Sequence, residues 1–194
     1  PRARKLLAAL RAQALRLRGE RAPVTMDISN DLAILLGRMG EAEAGRAIME
    51  ALVPMRMQVL GKDAPDTLGA LHNLAVMRIM TGDKQAAVRL QQQLVDTQTR
   101  RLGAEHPQTL AELGNLANML NDSGKPEQAL PIAQQVLAAR TRVLGADHPQ
   151  TLKAMLNLAS ILARVKRFDE AMAMQKQVAD ARTRLLGPNH PDTL

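Results

Sequence analysis

Histidine is the residue type best suited to chemistry in this 194-residue chain, and there are four. Three share one setting: His106 in GAEHPQT, His148 in GADHPQT and His190 in GPNHPDT. An imidazole beside a carboxylate such as Asp147 and a hydroxyl such as Thr151 has the makings of a general base or a metal ligand. The spacing argues against both. Each histidine lies 42 residues from the next, and the two earlier copies of the string, GKDAPDT and GERAPVT, carry Ala64 and Ala22 instead. Residues on successive packed helices stand about 10 Å apart, whereas ligands must lie within about 2.1 Å of a metal ion. The histidines therefore read as joints: a residue held extended before proline, with the proline in the first turn of a helix.

The fourth histidine, His72, has no cysteine partner, and Asp66 is six residues away, off the helical spacing of three or four. It reads as a groove-lining or surface residue. The chain has no cysteine, which excludes disulfides and thiolate metal sites. It also lacks a Gly-rich phosphate loop, a nucleophile elbow and an H-E-x-x-H helix. No catalytic residue, metal ligand or cofactor is expected, and the chain is not expected to be an enzyme.

The 42-residue period extends beyond the Gly-to-Thr string. Fourteen residues after each of four glycines comes a Leu-Ala pair ending at Ala33, Ala75, Ala117 or Ala159. A second small residue follows at Gly45, Ala87, Ala129 and Ala171, with apolar residues three and seven positions later. These are helical spacings, and fixed small residues let two helices approach closely. Each repeat reads as a helix pair. Helix A begins at Pro-x-Thr and ends near Gly40, Gly82, Gly124 or the equivalent Lys166, as a C-terminal glycine turn would have it. Helix B fills the rest. Pro126 suits the first turn of a helix B, and Pro54, well inside another, predicts a kink. Arginines near the ends of the B helices (Arg56, Arg100, Arg140, Arg142, Arg182, Arg184) suit the negative end of the helix dipole.

A fixed period of this length marks a solenoid. The expected fold is all-α: one solenoid of antiparallel helix pairs over 1–194. Its repeats are 19–60, 61–102, 103–144 and 145–186, with a partial helix B at 1–18 and a partial repeat at 187–194. The net charge of +7 is concentrated: residues 1–21 hold seven of the 26 basic residues and one of the 19 acidic ones. Ala3, Leu6 and Leu10 occupy the register of Ala129, Ile132 and Val136. The basic segment is thus a helix B, and this account is preferred over a membrane-surface or nucleic-acid helix. No apolar run is long enough to span a membrane. One Phe and no Tyr or Trp leave almost nothing on which bases could stack. Neither end shows a polar capping helix. The chain is read as an internal piece of a longer array, or as one whose ends are covered by dimer contacts. A cytoplasmic location is expected.

The pattern L-G-x-x-H-P-x-T, then N-L-A, then G-x-x-x-x-A, resembles the tetratricopeptide repeats of kinesin light chain, found also in many bacterial arrays. The aromatic positions of that family are filled here mostly by Leu, Ala, Gln or Met, with Phe168 the exception. The resemblance implies a right-handed superhelix whose A helices line a concave groove that binds a peptide segment of another protein. It assigns the peptide backbone to the Asn of N-L-A, here Asn73, Asn115 and Asn157, with Asp31 at the fourth place. An Asn amide offers both a donor and an acceptor, so it can meet a peptide group of any sequence.

Specificity would come from neighbours on the same face: Asn30, Ile34 and Arg38; His72, Val76 and Met80; Asn118 and Asp122; Lys153, Ser160 and Arg164. Arg38, Lys153 and Arg164 would be the candidate anchors for ligand carboxylates. The expected function is a non-catalytic protein–protein interaction scaffold. The alternatives are homo-oligomerisation through the solenoid ends and a sensor or regulatory arm of a larger protein whose catalytic domain lies outside this chain.

Overall fold

The computed structural model describes residues 2–187 and 190–191. The described residues form helices: α1 (Arg2–Arg18), α2 (Pro23–Arg38), α3 (Ala42–Leu60), α4 (Pro65–Met80), α5 (Lys84–Leu102), α6 (Pro107–Asp122), α7 (Pro126–Leu144), α8 (Pro149–Arg164) and α9 (Phe168–Leu186). The even-numbered helices are the A helices and the odd-numbered ones the B helices. The helix A expected to begin in 187–194 lies largely outside the described residues.

Local chemistry sets these boundaries. Each A helix opens on a proline at its first position, where the missing N–H has no intrahelical partner to lose. Each is followed by a residue in the left-handed region: Gly40, Gly82 and Gly124, at φ of 83°, 87° and 77°. Lys166 takes that place after α8 at φ 64°, and it alone among the described non-glycine residues has positive φ. Pro54 does not interrupt α3, nor does Pro131 interrupt α7. Both prolines are exposed, where water can take up the carbonyl that each leaves without a donor.

The chain divides into two compact halves, residues 1–97 and 98–194. In the first half α2 packs between α1 and α3, and α3 packs on α4. Met26, Ala33, Met49, Leu52, Leu71, Leu74, Met77 and Leu94 form its core. The α2–α3 approach is tight: a Cβ on Gly45 would lie 2.7 Å from the Ala33 carbonyl oxygen. In the second half α6 packs on α7, α7 on α8 and α8 on α9. Here alanines make the close approach, with Ala117 and Ala129, and Ala159 and Ala171, all buried.

Within each half the A helices also meet one another. α2 touches α4, and α6 touches α8. The B helices α7 and α9 make no comparable contact among the described residues. The A helices therefore form a continuous layer within each half, and their outward stripe is a shared surface.

Candidate functional site

The outward stripe of each A helix recurs at spacings of three and four residues. On α2 it holds half-buried Asn30 and Ile34 and exposed Asp31 and Arg38. On α4 it holds half-buried His72, Asn73 and Val76 and exposed Met80. On α6 it carries Asn115 and Asn118, half-buried, and Asp122, exposed. On α8 it carries Asn157, half-buried, and Lys153, Ser160 and Arg164, all exposed. Each asparagine precedes a buried Leu-Ala pair, Leu74 and Ala75, Leu116 and Ala117, or Leu158 and Ala159. The pair faces the core and sets the asparagine at its rim.

The polar contacts along this stripe differ from helix to helix. In the first half the Asn73 amide donates from Nδ2 to Asn30 Oδ1 at 3.1 Å, linking α4 to α2. Asn30 in turn donates to Asp31 Oδ1 at 3.4 Å. Asn73, Asn30 and Asp31 are thus brought together. In the second half Asn115 donates to Glu112 Oε2 at 3.3 Å, one turn back on its own helix. The Asn157 amide has no protein partner among the described residues. Asn is a weak helix former, and a mid-helix amide with no protein partner gains nothing from its own fold.

The histidine joints prove to be caps. His106 and His148 sit extended before their prolines, at φ of −62° and −67°. The Nδ1 of His106 accepts from the Gln108 N–H at 3.2 Å, and that of His148 from the Gln150 N–H at 3.1 Å. Each ring thereby satisfies a helix N-terminal donor that has no intrahelical acceptor. Ala22 and Ala64 form the same joint without any side-chain cap. No three His, Asp or Glu side chains converge to hold a metal among the described residues, and no described helix is long and apolar enough to cross a membrane.

Two arginines depart from the helix-dipole expectation. Arg56 and Arg140 are buried, at 4% and 8% exposure. Each donates from Nη1 to a first-turn carbonyl of the next A helix: Asp66 at 2.8 Å and Gln150 at 3.0 Å. They tie helix B to the following helix A. Arg142 and Arg184 are exposed, and they pair with Glu105 and Asp147 in the loops before α6 and α8.

Comparison with known proteins accounts for this arrangement. The tetratricopeptide repeat family matches residues 24–100 and 108–184. The chain belongs to that family. Among solved structures it is similar to the TPR-like repeats of a putative kinesin light chain from Podosopora anserina. It is 25% identical to one of these over 95% of this chain and 88% of that one, at a TM-score of 0.86. To a second crystal structure of those repeats, carrying a single substitution, it is 26% identical over 94% and 86%, at 0.87. BtubC (BKLC) from P. vanneervenii shares the fold at a TM-score of 0.81, with 18% identity over 98% of this chain and 75% of that one. No curated protein sequence matches. The fold is thus an all-α solenoid of tetratricopeptide repeats, and such repeats generally serve as protein–protein interaction scaffolds.

Proposed function

We propose that these tetratricopeptide repeats form a non-catalytic scaffold that binds a peptide segment of a partner protein along the outward stripe of the A helices. The asparagine row supports this reading most directly. It recurs at the same place on α4, α6 and α8, is half-buried, and ends in an Asn157 amide with no protein partner among the described residues. Such an amide can donate to a peptide carbonyl and accept from a peptide N–H. Ligand backbone would be held by Asn115 and Asn157 on the second half, and by Asn73, with Asp31 at the first register place, on the first. Side-chain selection would fall to Arg38 and His72 in the first half, and to Asn118, Asp122, Lys153 and Arg164 in the second. Lys153 and Arg164 are two cations on one helix, so an acidic ligand residue beside α8 fits best. A scaffold of this kind needs no cofactor, and a cytoplasmic setting suits it.

The test is selection of binding peptides from a random display library against the whole chain, followed by hydrogen exchange with the best binder. Protection centred on α4, α6 and α8 is the expected result. Protection confined to the B helices would contradict it.

One observation favours a second reading, association of copies through α1. Leu10 is 39% exposed, whereas its register mates Leu52, Leu94, Val136 and Val178 are 1–3% exposed. If a second copy covers this face, light scattering shows a mass that doubles with concentration, and Leu10→Lys keeps the chain monomeric.

A further inference from the structure

Arg56 and Arg140 occupy the same place in their repeats, the fifteenth residue of α3 and of α7. Their surroundings differ in the counter-ion. Arg56 has a counter-ion: its Nη2 lies 2.7 Å from Asp27 Oδ1, on the fifth residue of α2. The fifth residue of α6 is Ala111. Arg140 therefore lacks the carboxylate that its register mate has. Among the described residues it makes no ion pair and one hydrogen bond, to the Gln150 carbonyl. A guanidinium carries five N–H donors; no nitrogen of this one is both buried and without a partner, so the donors not used on Gln150 face solvent or the open space beside it. Burial pushes its pKa below the usual arginine range, though the group remains charged.

The space is open as well. A cavity of about 290 Å³ is bounded by Leu110, Ala111, Val143 and Leu144, with Arg140 and Glu105 in its wall. Val143 and Leu144 are 51% and 38% exposed, so the cavity has an apolar, accessible rim. Glu105 is the carboxylate nearest at hand, but it is engaged by Arg142. A buried cation in apolar walls is costly unless a carboxylate meets it with good geometry, and a guanidinium matches a carboxylate through two parallel hydrogen bonds.

We propose that this cavity is a binding site for a carboxylate carried on a short apolar group, with Arg140 as the anchor and the place of the missing aspartate as the seat of the ligand's carboxylate. The volume sits at the lower end of the range for small-molecule pockets, about right for one amino-acid-sized group. The site is independent of the asparagine row: it needs no peptide on the A helices, and its test uses none.

The probe is N-acetyl-leucine, with N-acetyl-leucinamide as its uncharged match, titrated into the whole chain and followed by NMR. The acid is expected to bind in about the millimolar range and at least about tenfold more tightly than the amide. Arg140→Gln, which installs the residue standing in register at Gln98, removes that preference. Ala111→Asp supplies the internal counter-ion already present at Asp27. It leaves the chain folded, with an undiminished melting temperature, and abolishes binding of the acid. A peptide ending in a free Leu and an amidated peptide with an internal Glu then show whether a terminal or a side-chain carboxylate is preferred. Equal binding of acid and amide would overturn the proposal. So would unchanged acid binding in Ala111→Asp, or binding that appears only in Glu105→Gln, since Glu105 would then be the native counter-ion.

Discussion

The two halves reach one backbone plan with different side chains. Residues 1–97 fill the interior with methionines, Met26, Met49 and Met77, and need glycine at position 45 for the α2–α3 approach. Their joints at Ala22 and Ala64 are uncapped, and their buried arginine is paired with Asp27. Residues 98–194 use leucine and alanine, make the close approach with Ala129, cap their joints with His106 and His148, and leave Arg140 without a counter-ion among the described residues. What stays constant is the punctuation: proline at the start of helix A, a buried threonine two residues on, and a left-handed residue after its end. The register therefore belongs to the turns, and the core beneath it is open to repacking.

That contrast can be broken by exchanging features between the halves. The largest effect is expected at Met49, which is fully buried where the second half has Ala133. Met49→Ala deletes most of a buried side chain and should cost about 2–4 kcal/mol, read as a lowered urea midpoint. Ala133 already stands in a space closed around it, so the second half shows no comparable weakness there. Asp27→Ala makes the first half resemble the second by leaving Arg56 without its carboxylate. Asp27 is largely exposed, so solvent moderates the loss to about 1 kcal/mol. Thermal melting of that variant, with and without added Asp66→Ala as a side-chain control, checks it. Lys166→Gly restores the residue used at the three equivalent turns. Relief of a left-handed lysine, offset by the greater freedom of an unfolded glycine, should stabilise by about 1 kcal/mol, seen as a raised melting temperature. The smallest effect belongs to the caps. His148→Ala recreates the uncapped joints of the first half and should cost about 0.5–1 kcal/mol in a urea titration, while His148→Asp, a stronger acceptor, should not.

Much of the fold was legible in the sequence because proline, glycine and small residues act locally. Helix A could be placed from Pro-x-Thr to the following glycine, and the starts of α2, α4, α6 and α8 fall there. The same locality made the histidines readable as joints. That His106 and His148 accept a helix N–H through Nδ1 was not readable, since Ala22 and Ala64 make the joint without one. Arg56 and Arg140 were misread because their distance from a helix end suggested a dipole role. Their burial depends on the next helix A folding across them, a contact ten residues away that periodicity does not encode. The asparagine row was legible as a row. Its bonding was not: Asn73 reaches Asn30 on a neighbouring helix, while Asn115 turns back on its own.

The central claim is that the row of asparagines on the A helices holds a peptide backbone. Isothermal titration of a library-selected peptide into the wild-type chain and into the Asn115→Ala, Asn157→Ala double variant tests it most directly. Two lost amides, each contributing about 1 kcal/mol, should weaken binding by roughly tenfold or more, with the far-ultraviolet helical signal unchanged. Equal affinity in the double variant, at unchanged helicity, would contradict the account.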